Sequence, residues 1–173
     1  MRLFRQKGMT LIELLISISI IAIIVSLAAP SFSSLIVNQK IKGLGNEVTT
    51  DLYFSKMESA QSNQCITIEF SVTGYTIKKL APYINPCSTS TATTITTLKT
   101  VVIDGNNTID PSSGSTYLAV MFDPVRTTAT FTGVPINISN TSASSRLLQI
   151  SVSTLGRPKI CSPSGSITGF SPC

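Results

Sequence analysis

Lys7-Gly8-Met9-Thr10-Leu11-Ile12-Glu13-Leu14-Leu15 joins a basic head to an apolar run that holds one carboxylate near its start. From Met9 to Ala29 the 21 residues carry no charge except Glu13, enough rise for one helix to cross a hydrocarbon core. Arg2, Arg5 and Lys7 precede the run with no acid among them, and clustered cations beside an apolar span hold that end on the cytoplasmic side. The rest of the chain is therefore expected to face outward.

An ordinary secretory signal would be a shorter apolar run closed by small residues. Ala28-Ala29-Pro30 fits such a site poorly, because proline just after a cut hinders cleavage. A plain signal anchor explains the length of the run and leaves Glu13 unexplained. A carboxylate at the centre of a bilayer costs roughly 2.5–3.5 kcal/mol, less near the interface, and persists where it has a partner. No lysine or arginine lies within the span. Cutting between Gly8 and Met9 would supply a partner by creating an α-amine one helical turn before Glu13.

In these residues the chain resembles the type IV prepilin family, whose short basic leader ends in glycine and whose apolar helix carries a glutamate fifth after the cut. Gly8, Met9 and Glu13 match residue by residue, and Pro30 falls where pilins kink this helix. The resemblance implies cleavage and N-methylation of Met9 by a prepilin peptidase, followed by polymerisation through the helices. It also implies that Glu13 meets the N-terminal amine of a neighbouring subunit and so gives register to an otherwise featureless apolar bundle.

The remaining composition narrows the function classes. The length suits one membrane helix and one domain of ordinary size. The net charge of +5 falls once the leader is gone, because ten Lys/Arg against eight Asp/Glu leave +2 for Met9 to Cys173. Histidine and tryptophan are absent, which removes histidine acid–base catalysis, Ser-His triads and histidine metal sites. No enzymatic activity and no cofactor are expected. Cys65, Cys87, Cys161 and Cys173 all lie beyond the apolar span, in a compartment that permits disulfides. Of the three possible pairings, spacing favours Cys65 with Cys87 and Cys161 with Cys173. No C-x₂-C spacing supports a zinc site.

Beyond Pro30 the apolar residues Leu35, Val37, Ile41, Leu44, Val48 and Leu52 recur at helical spacing, with Asn38, Gln39, Lys42, Asn46 and Glu47 on other faces. The helix is predicted to turn amphipathic there. Pro30 should bend it, and Gly43 and Gly45 mark either close packing on the domain or a segment that yields inside a filament. After about Ala60 the pattern becomes short Ile-, Val- and Thr-rich runs between turn residues, which is strand chemistry. Strands are predicted at Cys65 to Phe70, Tyr75 to Leu80, Thr93 to Ile103, Tyr117 to Phe122, Ala129 to Thr132 and Leu147 to Val152. The expected fold is α+β: a long N-terminal helix on an antiparallel β domain, with residues 1–8 as leader, 9–36 as membrane and filament-core helix, and 37–173 as the exported domain. Ser88 to Thr97 reads as an exposed loop or a polar edge strand.

Ala119-Val120-Met121-Phe122-Asp123-Pro124 and, later, Leu148 through Lys159 resemble the closing part of the GspH/FimT group, which holds minor pseudopilins of type II secretion and the FimT and FimU minor pilins. Within the second stretch Gly156-Arg157-Pro158-Lys159 is similar to a Gly-Arg-x-Arg motif implicated in DNA binding by FimT proteins. Lys159 replaces the second arginine, so bidentate phosphate gripping is lost at that position. Lys78, Lys79, Arg126 and Arg146 could join such a patch, and the bland alternative is a glycine turn bearing two solvated cations. Asp104-Gly105-Asn106-Asn107-Thr108-Ile109-Asp110 alternates oxygens as calcium loops do, but lacks the closing bidentate acid and reads as a turn. Asn106, Asn137 and Asn140 begin N-x-[S/T] sequons that read as coincidences in a Thr/Ser-rich chain.

The resemblance implies a bacterial inner-membrane precursor with one span and a periplasmic C-terminal domain, later held in a pilus or pseudopilus. Its expected role is that of a minor pilin of the FimT/FimU kind, set at or near the filament tip to prime assembly. A minor pseudopilin of a type II secretion system and a DNA-binding pilin of natural transformation are the alternatives. The expected partners are prepilin peptidase, other pilins or pseudopilins, the inner membrane before assembly and, in the third reading, DNA.

Overall fold

The computed structural model describes residues 9–83, 87, 94–103, 105–111, 118–131, 135–143 and 145–173. Gly8 and the basic head lie outside them, as do Thr93, Asp104, Tyr117 and Thr132 at the ends of predicted elements. Among the described residues one α-helix, α1 (Leu11–Ser62), leads into nine strands: β1 (Cys65–Ser71), β2 (Gly74–Ala81), β3 (Thr94–Val102), β4 (Asn107–Pro111), β5 (Leu118–Phe122), β6 (Ala129–Phe131), β7 (Ile136–Asn140), β8 (Leu147–Val152) and β9 (Pro158–Cys161). The chain divides into two compact units, Met1–Ile36 and Val37–Cys173.

Within the second unit the helical spacing read in the sequence becomes a buried stripe. Ile41, Leu44, Val48 and Leu52 are all buried, three or four residues apart and hence on one face. Leu35, which heads the same spacing, belongs to the first unit and is 55% exposed. The helix stops at Asn63, whose φ of 52° is left-handed, a conformation that asparagine adopts more readily than most residues. Ser59 is buried at that end, and its hydroxyl donates to the carbonyls of Gln64 (3.0 Å) and Phe122 (3.1 Å).

Two antiparallel sheets complete the domain, one in the order β3-β2-β1-β5-β6 and the other β4-β7-β8-β9. Their inward residues, Ile66, Ile68, Phe70, Tyr75, Ile77, Val120 and Phe122 from the first and Ile109, Ile136, Ile138, Leu148 and Ile150 from the second, join the helical stripe in one core. Gly45 lets the helix approach the second sheet: a Cβ there would stand 2.9 Å from Ile160 Cδ1 and 3.1 Å from Leu148 Cδ1. Close packing thus accounts for Gly45, whereas a Cβ on Gly43 would meet open space.

Three strands depart from the sequence reading. The Asp104 to Asp110 segment, read as a turn, becomes β4 from Asn107 onward, because Ile109 is fully buried and the strand pairs along β7 from Asn107↔Asn140 to Pro111↔Ile136. β7 itself and β9 were not anticipated. The Thr94 to Thr97 half of the Ser88 to Thr97 segment belongs to β3, which is the edge of its sheet. A β-bulge interrupts the β2–β3 register at Leu98, and Lys99 points from β3 to the helix, two devices that discourage edge pairing.

A polar cluster sits among these apolar contacts. Asp51 on α1 accepts a hydrogen bond from the Tyr75 hydroxyl (2.6 Å) and two from Lys99 Nζ (2.7 and 3.0 Å), while Glu47 stands 3.5 Å from the same amine. Asp51 and Tyr75 are 7% and 2% exposed. Burial, then the Asp51 contact, pushes the Tyr75 hydroxyl far above its ordinary range. The hydrogen bond to Asp51 likewise raises Lys99. Two disulfides close the chain on itself, Cys65–Cys87 with Cα atoms 5.8 Å apart and Cys161–Cys173 with Cα atoms 5.1 Å apart.

Candidate assembly helix and basic turn

The start of α1 is built by Thr10. Its Oγ1 accepts from the Glu13 backbone N–H (3.3 Å) and its carbonyl accepts from Leu14 N–H (3.1 Å), so Thr10 is the N-cap and Glu13 the third helical residue. Thr-x-x-Glu is the capping-box pattern, and it was the available signal for a residue the sequence reading passed over. From Leu11 to Leu27 the large apolar side chains are exposed on every face of the helix. A helix apolar all round has no water-facing side and belongs in lipid or in a bundle of like helices. Its hydroxyls are compatible with that, because Ser17, Ser19 and Ser26 donate back to the carbonyls of Glu13, Leu15 and Ile23 at 2.7–2.8 Å, leaving no donor stranded. Glu13 is the single charge in the segment, and Pro30 falls within the span of α1. Among the described residues no single helix is both long and apolar enough to cross a membrane, and Leu11–Leu27 with Phe32–Ser62 meets that requirement only as a pair.

At the other functional candidate, Ser153 to Arg157 turns β8 into β9. Gly156 N–H donates to Ser153 O (2.8 Å), Ser153 N–H to Arg157 O (3.0 Å) and Arg157 N–H to Ser153 Oγ (3.2 Å). Gly156 has a φ of +67°, and a Cβ on it would stand 3.2 Å from both Lys56 Cδ and Phe122 Cε1; glycine is required for conformation and for space. Lys56 donates to Leu155 O at 2.6 Å and ties the turn to the helix, a role that no local residue pattern signals. Arg157 sits in the turn and Lys159 in β9, so the motif is part turn and part strand, and both side chains are exposed. Among the described residues no acid forms an ion pair with either. Behind them the Cys161–Cys173 bridge closes a tail whose Ile167 is fully buried.

Of the cations considered for the same patch, Arg126 comes nearest in connectivity. It lies in the β5–β6 turn, which joins the β8–β9 turn through Ala129 N–H donating to Thr154 O at 2.9 Å. Asp123 Oδ1 holds that turn by accepting from Val125 and Arg126 N–H at 2.9 and 3.0 Å. Lys78 and Lys79 are committed to Glu69 (2.6 Å) and Glu58 (3.6 Å), and Arg146 donates to Asn38 (3.0 Å). Among the described residues no three His, Cys, Asp or Glu side chains are grouped so as to hold a metal ion.

A family model for the prokaryotic N-terminal methylation motif matches residues 3–29, and one for the type II transport protein GspH matches residues 44–156. The chain belongs to the GspH family. No curated protein and no solved structure matches it. The GspH match starts within the domain half of α1 and ends at Gly156, so it takes in both sheets up to the β8–β9 turn and leaves Arg157, Lys159, β9 and the bridged tail beyond it. A methylation motif ahead of a GspH domain marks a prepilin-like protein of the minor pilin and pseudopilin kind, processed by prepilin peptidase and assembled with other pilins. Such proteins are anchored in the inner membrane before entering a pilus or pseudopilus. Their role is structural rather than catalytic.

Proposed function

We propose that this GspH-family chain is a minor pilin of a type IV pilus, cut between Gly8 and Met9, N-methylated on Met9 and placed at or near the filament tip to prime assembly. The observation that carries the proposal is a helix from Leu11 to Leu27 that is apolar on every side, with one carboxylate, Glu13, a single turn after the cut. Such a segment is stable in lipid and equally stable among identical helices, which is what transfer from a membrane into a filament requires. A pseudopilin would share all of this, and membership of a pilus or a secretion gene cluster separates the two. Intact-mass measurement of membrane-extracted protein is expected to show loss of Met1 to Gly8 and gain of one methyl group. An uncut chain, or a mature one starting near Ser31, overturns the proposal.

The exposed Arg157 and Lys159, without an acid partner among the described residues, favour a second reading as a DNA-binding pilin. A few phosphate contacts give weak, sequence-blind and strongly salt-dependent binding. A fragment from Val37 onward is expected to bind duplexes of unrelated sequence in NMR titrations at low ionic strength. Changing Arg157 and Lys159 together to alanine should remove most of that binding, with Lys99→Ala as the unaffected control. No salt-dependent binding by the unaltered fragment overturns this reading and leaves the pilin assignment standing.

A further inference from the structure

We propose that Thr10 is a positioning residue for leader removal, its hydroxyl ending the helix one residue short of Met9 so that the amine side of the scissile bond is presented as extended chain. The inference rests on the prepilin reading above and adds to it a residue whose role is to shape the substrate.

Inside an α-helix the Glu13 N–H would donate to the carbonyl four residues earlier, that of Met9. Here it donates instead to Thr10 Oγ1 at 3.3 Å, and the first backbone rung is Leu14 N–H to Thr10 O at 3.1 Å. The hydroxyl thus replaces the Met9 carbonyl as acceptor, and Met9 and Thr10 stay outside the helix, which begins at Leu11. Both are exposed.

The alternative state follows from the same donor. Next to a segment this apolar, a backbone N–H without a partner is costly, and the nearest remedy is for the helix to grow back until Met9 O accepts from Glu13 N–H. Met9 would then take helical φ and ψ with its carbonyl engaged. Peptidases hold the residues flanking a cut as extended chain, pairing with their main-chain groups as an added strand does. A helical Met9 withholds those groups. Removing the oxygen therefore lowers the fraction of precursor that can bind, while leaving the chemistry of the bound state unchanged. Binding to a fractionally populated conformer raises the apparent KM by the inverse of that fraction.

The test uses the full-length chain in detergent micelles with prepilin peptidase, comparing the wild type with Thr10→Val, which keeps the shape and loses the oxygen, and Thr10→Ser, which keeps the oxygen. Thr10→Val is expected to raise KM about fivefold, the scale on which loss of a cap shifts a helix end, with kcat unchanged. Thr10→Ser is expected to stay near the wild type. Equal KM for the wild type and Thr10→Val, or a Ser variant as impaired as the Val variant, overturns the inference while leaving the prepilin reading intact. A wild-type chain that is not cut between Gly8 and Met9 overturns the prepilin reading and this inference with it.

Discussion

Glu13→Ala is expected to abolish incorporation into filaments while leaving membrane insertion and the β domain intact. The carboxylate is the single charge between Met9 and Ala29, and the amine proposed as its partner comes into being only when the leader is removed. Its local contribution is small. As the third helical residue after the Thr10 cap it favours the helix N-terminus by about 0.3–1 kcal/mol, too little to unfold a helix anchored by the run that follows. A charge pair formed between subunits in an apolar surround is a different matter, because removing one member leaves the other buried alone, at a cost of about 3–5 kcal/mol. A loss of that size lowers the equilibrium for entry into the bundle by about two to four factors of ten, enough to exclude the variant from filaments. Filaments sheared from cells carrying the variant should contain none of it by immunoblot, while the membrane fraction holds wild-type amounts of processed protein. Wild-type levels in the filaments would show that Glu13 serves the helix cap alone.

The elements legible in the sequence were those whose burial follows one period. Ile41, Leu44, Val48 and Leu52 announce a helix face because every fourth or third residue is apolar, and Cys65 to Phe70 and Leu147 to Val152 announce strands through β-branched and aliphatic content. β4 and β9 were hidden by their composition. Asn107-Thr108-Ile109-Asp110-Pro111 and Pro158-Lys159-Ile160-Cys161 are rich in residues that strands avoid, and they become strands through pairing with a neighbour and the burial of Ile109 and Cys161. β7 was readable: Ile136-Asn137-Ile138-Ser139 alternates with period two, and both isoleucines are fully buried, yet its asparagines drew attention as sequons. At the N-terminus the charge pattern and the prepilin resemblance pointed to Gly8, Met9 and Glu13, whereas the Thr-x-x-Glu signal of the Thr10 cap lay hidden inside the same stretch. The tie from Lys56 to Leu155 O spans 99 residues of sequence, and no local pattern encodes it.

Asp51 is the least legible residue of the domain, and its loss should destabilise the fold well beyond what a surface position would. It reads as an ordinary polar position on an amphipathic helix, but the β2–β3 register places Tyr75 opposite Val101 and Ile77 opposite Lys99, which brings a phenol and an amine to the same carboxylate. In Asp51→Ala the Tyr75 hydroxyl, 2% exposed, loses its acceptor, and an unsatisfied buried hydroxyl costs about 1–3 kcal/mol. The Lys99 side chain is 40% exposed and keeps Glu47 nearby, so its share is that of a surface pair, under about 1 kcal/mol. A total of about 2–3 kcal/mol is expected in urea unfolding of a fragment from Val37 onward, with Asp51→Asn, which still accepts from Tyr75, losing less than half as much. The pH dependence follows from the same contacts. Tyr75 and Lys99 are both raised above their ordinary 10.0 and 10.5, so the folded state holds protons that the unfolded chain releases. Their contribution is complete below about pH 10 and is lost as pH climbs beyond it. Asp51→Ala, by lowering Lys99 toward its ordinary value and removing one cause of the rise at Tyr75, should flatten that alkaline loss. A variant within about 0.5 kcal/mol of the wild type at neutral pH, with the same alkaline slope, would mean that water serves Tyr75 as well as Asp51 does and that the helix is held to the sheets by its apolar stripe alone.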